Sequence, residues 1–359
     1  MSKDKKLIIG ISIGDLNGIG PEVILKALED SMILDLCTPV IFGSSRVMTY
    51  TNRQIETSTQ FHGIDHIDQL VHKKVNVLNL WKEQVEINFG KQDKNIGTYA
   101  IKSLKAATEA LKNGDIHALV TAPIDKWNIQ TDNFNFPGHT NYLAQELGSG
   151  DSLMFLVSDN LRVGLLTDHV PISEVASHIT PDLIRKKVHL MTKSLIEDFG
   201  IRKPKIAVLG LNPHAGDQGV IGKEDDEIIL PTLSDIREKD NIIVYGPYAA
   251  DSFFGSNTYK QFDGILASYH DQGLVALKTL AFGSGVNFTA GLSKVRTSPD
   301  HGTAYDIAGK GQADSQSFLN AIFLAIDVYR NRKMHKKLNK NPLKVQNPQK
   351  GGKRTRKIE

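Results

Sequence analysis

The sequence predicts an α/β protein with a largely parallel sheet, folded as two domains around a cleft. Short apolar, β-rich runs alternate with amphipathic stretches of helical periodicity along most of the 359 residues, which is the pattern of βα units. Eight such runs exceed one compact sheet of ordinary size, so two domains are favoured. No Ser- or Gly-rich linker interrupts the chain, which indicates that the domains are joined by short segments.

The strand candidates are apolar runs bounded by turn-forming residues. In chain order the predicted strands are residues 7–13, 38–42, 117–121, 153–157, 163–167, 205–211, 241–246 and 264–268.

Three amphipathic stretches are predicted helices. Residues 97–114 place alanine and leucine on one face and finish at Gly114, a residue that commonly ends helices. Residues 180–200 begin with Thr180 as N-cap and a proline at the first helical position. Residues 317–332 form the last predicted helix.

The composition is that of an ordinary globular protein, with 40% hydrophobic and 23% charged residues. The charge is uneven, since residues 331–359 carry a net charge of +10 and residues 1–330 a net charge of −7. We expect residues 331–359 to be a disordered basic tail, because they hold too few apolar side chains to offset the entropy of ordering. A solvated tail is favoured over one that binds RNA or an anionic surface.

The remaining totals exclude several classes of protein. One cysteine, Cys37, rules out an internal disulfide and a Cys-rich zinc site. No apolar run is long enough for a signal peptide or a membrane span. We therefore expect a cytoplasmic protein that has no membrane partner and for which a nucleic-acid partner is not expected.

Three of the predicted strands lead into a histidine. The runs VGLLTDH, IAVLGLNPHAG and GILASYHDQG reach His169, His214 and His270. Ligands of parallel α/β sheets collect beyond the carboxyl ends of the strands, so the three imidazoles could share a divalent metal and leave a position open for substrate. The alternative is that each histidine caps its own strand or helix, and spacing alone does not decide between the two.

Other polar positions offer groups for an anionic ligand. The Gly-His-Thr turn supplies the imidazole of His139, the hydroxyl of Thr140 and backbone N–H groups at a helix start. Downstream of the third histidine, Lys278 and Arg296 suit a carboxylate or a phosphate, and Asn287 can fix a hydroxyl or an amide. The alternative for each is an ordinary polar or charged side chain at the protein surface.

Two glycine-containing loops remain open in function. The turn GDLNGIGPE, residues 14–22, does not fit the dinucleotide pattern G-x-G-x-x-G, so it either lines the cleft or is a connector without a ligand. The loop TSPDHGTAYDIAG, residues 297–309, could hold an anionic cofactor on its N–H groups, or its His301 could be structural.

Six motifs together resemble the 4-hydroxythreonine-4-phosphate dehydrogenase family of vitamin B6 biosynthesis. In order they are GDLNGIGPE, TAPIDK, FPGHT, LNPHAGDQGVIGKED, SYHDQGL and VRTSPDHGTAYDIAGKG. The resemblance implies an isocitrate/isopropylmalate-dehydrogenase-like fold with an interdomain cleft. Residues 1–135 with 285–330 would form the first domain, and residues 136–284 the second, which would contribute metal ligands.

The resemblance also implies the composition of the active site. It would lie in a homodimer, use NAD or NADP as oxidant, and hold a divalent metal such as Zn, Mg or Co on histidines drawn from both subunits. The implied metal ligands are His169, His214 and His270. The implied substrate contacts are His139, Thr140, Lys278, Asn287 and Arg296. For removal of the hydroxyl proton, the candidates are Lys278 and Asp251, or a metal-linked water.

The implied reaction is oxidation of a phosphorylated hydroxy amino acid to a β-keto acid, which then loses CO₂. The substrate would be 4-phosphohydroxy-L-threonine, a small anion for which cationic side chains are the expected partners. Two alternatives stay open. One is a dehydrogenase of a related phosphorylated sugar acid, such as 4-phospho-D-threonate, and the other is a phosphate acyltransferase, which related folds support without nicotinamide or a triple-histidine metal site.

Overall fold

One mixed sheet runs through the chain. The computed structural model describes residues 6–131, 134–136, 138–148, 151–159, 161–281 and 283–341. Within these ranges the strands are β1 (Ile8–Ser12), β2 (Thr38–Gly43), β3 (Phe61–Ile64), β4 (Val75–Asn79), β5 (Ala118–Thr121), β6 (Leu153–Ser158), β7 (Leu161–Leu165), β8 (Lys205–Leu209), β9 (Ile243–Tyr248), β10 (Gly264–Ala267), β11 (Val286–Ala290) and β12 (Val295–Pro299).

Helices cover both faces of this sheet. In the same described ranges they are α1 (Gly20–Ala27), α2 (Ile33–Leu36), α3 (Ser45–Gln54), α4 (Lys94–Asn113), α5 (His139–Glu146), α6 (Val175–His178), α7 (Pro181–Glu197), α8 (Leu230–Asp240), α9 (Ala250–Gly255), α10 (His270–Leu280) and α11 (Gln316–Leu338). The largest core cluster packs α1, α7, α8 and α11 on one face, and two smaller clusters pack α4 with α5 and α9 with α10 on the other.

The strand order is β3-β4-β2-β1-β5-β12-β11-β6-β7-β10-β8-β9. Neighbouring strands are parallel except at β11–β12, β11–β6 and β6–β7. The α/β class with a largely parallel sheet is therefore confirmed. Strands of residues 1–135 and 285–330 fill one side of the sheet and strands of residues 136–284 the other, meeting at β6 and β11; the division into two domains stays a prediction.

The eight predicted strands are confirmed as β1, β2, β5, β6, β7, β8, β9 and β10. Four further strands were not predicted, namely β3, β4, β11 and β12. Each of these four contains polar residues or glycine within a run of four or five residues, so none of them is a continuous apolar segment.

Local capping explains two of the predicted helices. In α4 the Asp93 carboxylate accepts a hydrogen bond from the Asn95 N–H, and Gly114 ends the helix with a φ of 83°. In α7 the Thr180 hydroxyl accepts from the Leu183 N–H at 3.2 Å. Both helices bury the apolar stripe that their periodicity predicts.

The beginning of the predicted tail is wrong by eight residues, because α11 continues to Leu338. Its last turns dock on the end of α7: Arg332 Nε lies 2.5 Å from Asp198 Oδ1, and Asn331 Nδ2 donates to the Asp198 carbonyl at 2.7 Å. This ion pair and hydrogen bond fix a segment that is too polar to be ordered by apolar burial. Residues 342–359 of the predicted tail lie outside the described residues.

In the described ranges, no helix combines the length and the apolar character needed to cross a bilayer.

Candidate functional site

The three strand-end histidines lie at one edge of the sheet. They follow β7, β10 and β8, which are consecutive parallel neighbours in the strand order. Carboxyl ends of adjacent parallel strands meet at the same edge. His169, His270 and His214 therefore follow strand ends at the same edge of the sheet.

His169 and His270 form a close pair. Their ring centroids are 5.8 Å apart. The Asp271 carboxylate accepts a hydrogen bond from Nδ1 of His270 at 2.7 Å, so in the neutral form of the ring Nε2 is the atom with the lone pair. The Asp168 carboxylate accepts from the His169 backbone N–H at 2.7 Å. A pocket of about 300 Å³ lies between the segment that carries His169 and the start of α10 at His270. Val170 is one of its lining residues.

His214 lies on a turn of unusual backbone geometry. His214, Ala215 and Asp217 all have positive φ values, of 53°, 52° and 46°, a region that costs non-glycine residues free energy. The buried Asp225 carboxylate holds the preceding segment by accepting from the Leu211 and Asn212 N–H groups at 2.8 and 3.0 Å. The turn exposes the His214 ring to solvent.

A hydrogen-bonded bridge keeps the three strand ends together. The Gln272 side chain accepts from the Ser268 N–H at 2.7 Å and donates to the Gly210 carbonyl at 2.7 Å. The Ser268 hydroxyl donates to the Leu209 carbonyl, and Thr167 donates to the Ser268 carbonyl. The sequence interpretation did not single out Gln272, although it lies two residues after His270.

The donor set suits a divalent metal. Imidazole nitrogens are good ligands for zinc and similar ions, and a carboxylate on the second ring nitrogen is a common support for such a ligand. Among the described residues of a single chain, however, no three His, Cys, Asp or Glu side chains converge on one point. One chain thus offers a pair of imidazoles, His169 and His270, and a separate third on the His214 turn.

A row of polar side chains lies along β11 and β12. Arg296 and Ser298 share one face of β12 because side chains alternate along a strand, and Asn287 pairs with Ser298 across the ladder. Beyond the end of β12, Asp300 Oδ2 lies 3.4 Å from Lys278 Nζ of α10. Three of the predicted substrate contacts are therefore aligned, in the order Arg296, Asn287, Lys278.

Arg296 is a buried cation without an acidic partner among the described residues. It is 2% exposed, and burial lowers its pKa to about 10. Its Nε and Nη2 donate to the Thr121 hydroxyl at 3.2 and 2.7 Å, and Nη1 lies 3.4 Å from the Thr289 hydroxyl. Asn287 Oδ1 is also buried and has no hydrogen-bond partner in the described structure.

His139 lies close enough to Arg296 for the charge of the guanidinium to affect the pKa of the imidazole. Burial, and then the positive charge of Arg296, hold the pKa of His139 well below its usual value. Its Nε2 atom is buried and has no partner among the described atoms. Thr140 follows it in the first turn of α5. A neutral imidazole and an uncompensated guanidinium together form a ready site for an anion.

Acidification should destabilise the protein through His139. As the pH falls below about 6.5 the unfolded chain takes up the proton first, since the folded-state pKa is lowered, and the folded state loses stability. We expect the fall in melting temperature between pH 7.5 and 5.5 to be smaller in His139→Gln than in wild type. His62→Gln, which replaces an exposed histidine of β3, is the control. Equal pH dependence in all three proteins would contradict a neutral buried His139.

The sequence did not predict that Asp300 and His301 lie close to Lys278. Burial raises the pKa of Asp300, and Lys278, His301 and His270 partly offset this. Burial lowers the pKa of His301, whose Nε2 has no partner in the described structure. The sequence signal that could have identified Asp300 is the one that identified the histidines, namely a polar residue just after a strand. Asp300 directly follows β12. Asp300 thus interacts both with His270 and with Lys278, one of the predicted substrate contacts.

Asp251 lies in the first turn of α9 and is exposed. α9 contacts the turn that carries His214, but no described hydrogen bond or ion pair links Asp251 to the other predicted site residues. Its assignment stays a prediction.

The glycine-rich turn after β1 is a buried connector. The Asp15 carboxylate accepts from the Asn17 and Gly18 N–H groups, from Asn128 Nδ2 at 2.8 Å and from the Tyr305 hydroxyl at 3.1 Å. These contacts join the loops that follow β1, β5 and β12. Burial raises the pKa of Asp15 despite them. The second interpretation of this motif, a connector, fits these contacts.

Comparison with known proteins covers nearly the whole chain. The model of the family "Pyridoxal phosphate biosynthetic protein PdxA" matches residues 35–325. The 4-hydroxythreonine-4-phosphate dehydrogenase of Bacteroides thetaiotaomicron is 49% identical over 345 residues, covering 96% of this chain and 94% of that protein. A protein of Oceanobacillus iheyensis, provisionally named D-threonate 4-phosphate dehydrogenase, is 35% identical over 328 residues, covering 90% and 98%.

A solved structure supports the same relationship. The crystal structure of 4-hydroxythreonine-4-phosphate dehydrogenase from Klebsiella pneumoniae has a TM-score of 0.78 and 31% identity, covering 92% of this chain and 99% of that one. Sequence and fold therefore agree, and the chain belongs to the PdxA family of pyridoxal phosphate biosynthetic proteins, whose curated relatives named here are dehydrogenases.

Proposed function

We propose that this protein oxidises 4-phosphohydroxy-L-threonine with NAD or NADP, in the presence of a divalent metal such as Zn, Mg or Co. The product, 2-amino-3-oxo-4-phosphooxybutanoate, is a β-keto acid and loses CO₂ to give 3-amino-2-oxopropyl phosphate on the route to pyridoxine 5′-phosphate. The family assignment supports the dehydrogenase class. The substrate, the cofactors and the decarboxylation are the proposal.

One observation carries the choice of a phosphorylated substrate. Arg296 is buried next to a neutral His139, and its described partners are uncharged hydroxyls. A buried charge costs free energy unless something compensates it. A phosphate dianion of the substrate is suited to supply that compensation, with Thr140 and Asn287 as further polar contacts.

The histidines would hold the metal. His169 and His270 of one chain would bind it together with His214 of a second chain, because a single chain does not bring all three together. A bound divalent ion lowers the pKa of a coordinated hydroxyl and, as a Lewis acid, stabilises negative charge on oxygen. Asp271, by accepting from Nδ1 of His270, keeps Nε2 directed away from the carboxylate and free to bind.

Lys278 is the favoured group for moving the hydroxyl proton. It lies on α10, whose first residue is His270, and pairs with Asp300 at the end of the substrate row. This position between the histidine pair and Asn287 suits a group that must reach the reacting carbon. Asp251 remains the second candidate, because α9 contacts the turn of His214.

The direct test is an assay of the purified protein on 4-phosphohydroxy-L-threonine after treatment with a chelator. We expect no turnover with NAD or NADP until Zn, Mg or Co is restored, and then formation of reduced nicotinamide together with an equal amount of CO₂. Turnover unaffected by chelation would contradict the metal, and reduced nicotinamide without CO₂ would contradict the decarboxylation.

A second substrate, 4-phospho-D-threonate, is favoured by one observation. The relative from Oceanobacillus iheyensis carries a name of that type at 35% identity. Offering both substrates at matched concentration separates the two, because the physiological one should have the larger kcat/KM. The acyltransferase alternative is not proposed, since the curated relatives reported above are named dehydrogenases.

A further inference from the structure

The setting of Arg296 differs from that of Arg332, a partly buried arginine. Arg332 is paired with the Asp198 carboxylate at 2.5 Å, which is the usual way to compensate a buried guanidinium. Arg296 is more deeply buried, and it donates to Thr121 and to Thr289 instead. A hydroxyl accepts a hydrogen bond without neutralising the charge.

The hydrogen bonds also orient the guanidinium. Nε and Nη2 lie on one edge of the planar group, and both donate to the same Thr121 oxygen. A guanidinium has five N–H donors. With Thr289 accepting from Nη1, one N–H remains on each terminal nitrogen, and such a pair can bind two oxygens of a phosphate at once. Thr121 is fully buried on β5, so its position is set by the sheet.

Thr121 therefore fixes the orientation of Arg296 without neutralising its charge. A carboxylate in place of Thr121 would hold Arg296 equally well, but it would cancel the charge that attracts an anion. An apolar side chain would leave the charge and lose the orientation. Only an uncharged acceptor preserves both properties.

We propose that Thr121, supported by Thr289, is a positioning residue that presents Arg296 to the substrate phosphate and so sets the preference for phosphorylated over unphosphorylated substrates. The inference rests on the proposed function for its substrate. Its core, a phosphate site made by Thr121 and Arg296, can be measured without turnover.

The probe is inorganic phosphate, titrated into the full-length protein by calorimetry. Wild type should bind it, and Arg296→Met should not, which places the probe at Arg296. Thr121→Val should weaken binding about tenfold, the effect of losing one well-formed hydrogen bond to a charged group. Thr121→Ser should restore wild-type affinity, and Thr121→Asp should bind more weakly than Thr121→Val.

Kinetics provide the readout that a purely structural role would not produce. In Thr121→Val the KM for the phosphorylated substrate should rise about tenfold while kcat changes less than about twofold. Thr289→Val should show a smaller change in the same direction, because its contact is 3.4 Å long. Thr297→Val is the matched control, since its hydroxyl donates to the Ala321 carbonyl of α11; it should lower the melting temperature and leave KM unchanged.

The outcomes separate this inference from the proposed function. If wild type does not bind phosphate, or if Thr121→Val binds it as strongly as wild type, the role of Thr121 is overturned whatever the substrate is. Phosphate binding that follows the expected order, without turnover of 4-phosphohydroxy-L-threonine, supports the role of Thr121 and overturns the proposed substrate.

Discussion

Replacing Arg296 with methionine should lower kcat/KM for the phosphorylated substrate by about a hundredfold or more, and it should leave the protein at least as stable as wild type. Arg296 is 2% exposed, and its described partners are threonine hydroxyls. The desolvation of its charge is therefore not offset in the free protein, and methionine fills a similar volume without that cost. Stability and function should change in opposite directions at this position.

Urea unfolding and steady-state kinetics of the purified variant measure the two effects. Arg332→Met is the matched control, because it removes a partly buried guanidinium but leaves Asp198, 3% exposed, without its ion-pair partner. That variant should lose about 3 kcal/mol or more of unfolding free energy and keep its kcat/KM. A similar loss of stability in both variants would show that Arg296 is compensated in the free protein, and an unchanged kcat/KM would remove it from the substrate site.

The strands that the sequence pattern identified are dominated by apolar residues. β1, β8 and β10 are mostly apolar, so the apolar-run criterion detects them directly. β11 and β12 are equally buried, but they carry Asn287 and Arg296, which interrupt the pattern. On the proposed function, Asn287 and Arg296 contact the substrate, so local sequence periodicity and function would conflict in these two strands.

The histidine cluster was predictable because it depends on a rule of topology. Strand ends of a parallel sheet meet at one edge, and this holds for His169, His214 and His270 without knowledge of the strand order. The pairing within the cluster was not predictable. It follows from the position of β10 between β7 and β8 and from the left-handed turn at His214, and both are set by contacts distant in sequence, such as those of Gln272 and Asp225.

Residues that support a ligand-binding group were the hardest to predict. Thr121 looks like the last residue of an ordinary strand, and Asp300 like part of a loop. Their roles depend on which side chains face them across β5, β11 and β12. The end of α11 shows the same limit. Nothing in the basic sequence after residue 331 indicates that Arg332 pairs with Asp198.

A histidine-to-alanine exchange at the proposed metal ligands should abolish turnover without unfolding the protein. His214 is exposed and His270 is the first residue of α10, so neither supports the core. We expect turnover of His214→Ala and of His270→Ala to fall below about 1% of wild type, with loss of bound metal and little change in melting temperature. Normal metal content in either variant would remove that residue from the ligand set.

Mixing the two inactive variants tests whether the site is shared between subunits. If His270 of one chain and His214 of its partner serve the same site, a mixed dimer has one site with both residues intact. Half of randomly paired dimers are mixed, so unfolding and refolding an equal mixture should restore about a quarter of wild-type turnover.

The control is the mixture of His169→Ala with His270→Ala. The rings of these two residues lie 5.8 Å apart in one chain, so they should serve the same site from the same subunit, and every site of a mixed dimer then lacks one ligand. This mixture should stay inactive. Restoration in the control but not in the first mixture would reverse the pairing, and restoration in neither would mean that all three histidines act within one chain, against the separation of His214 from the other two in the described structure.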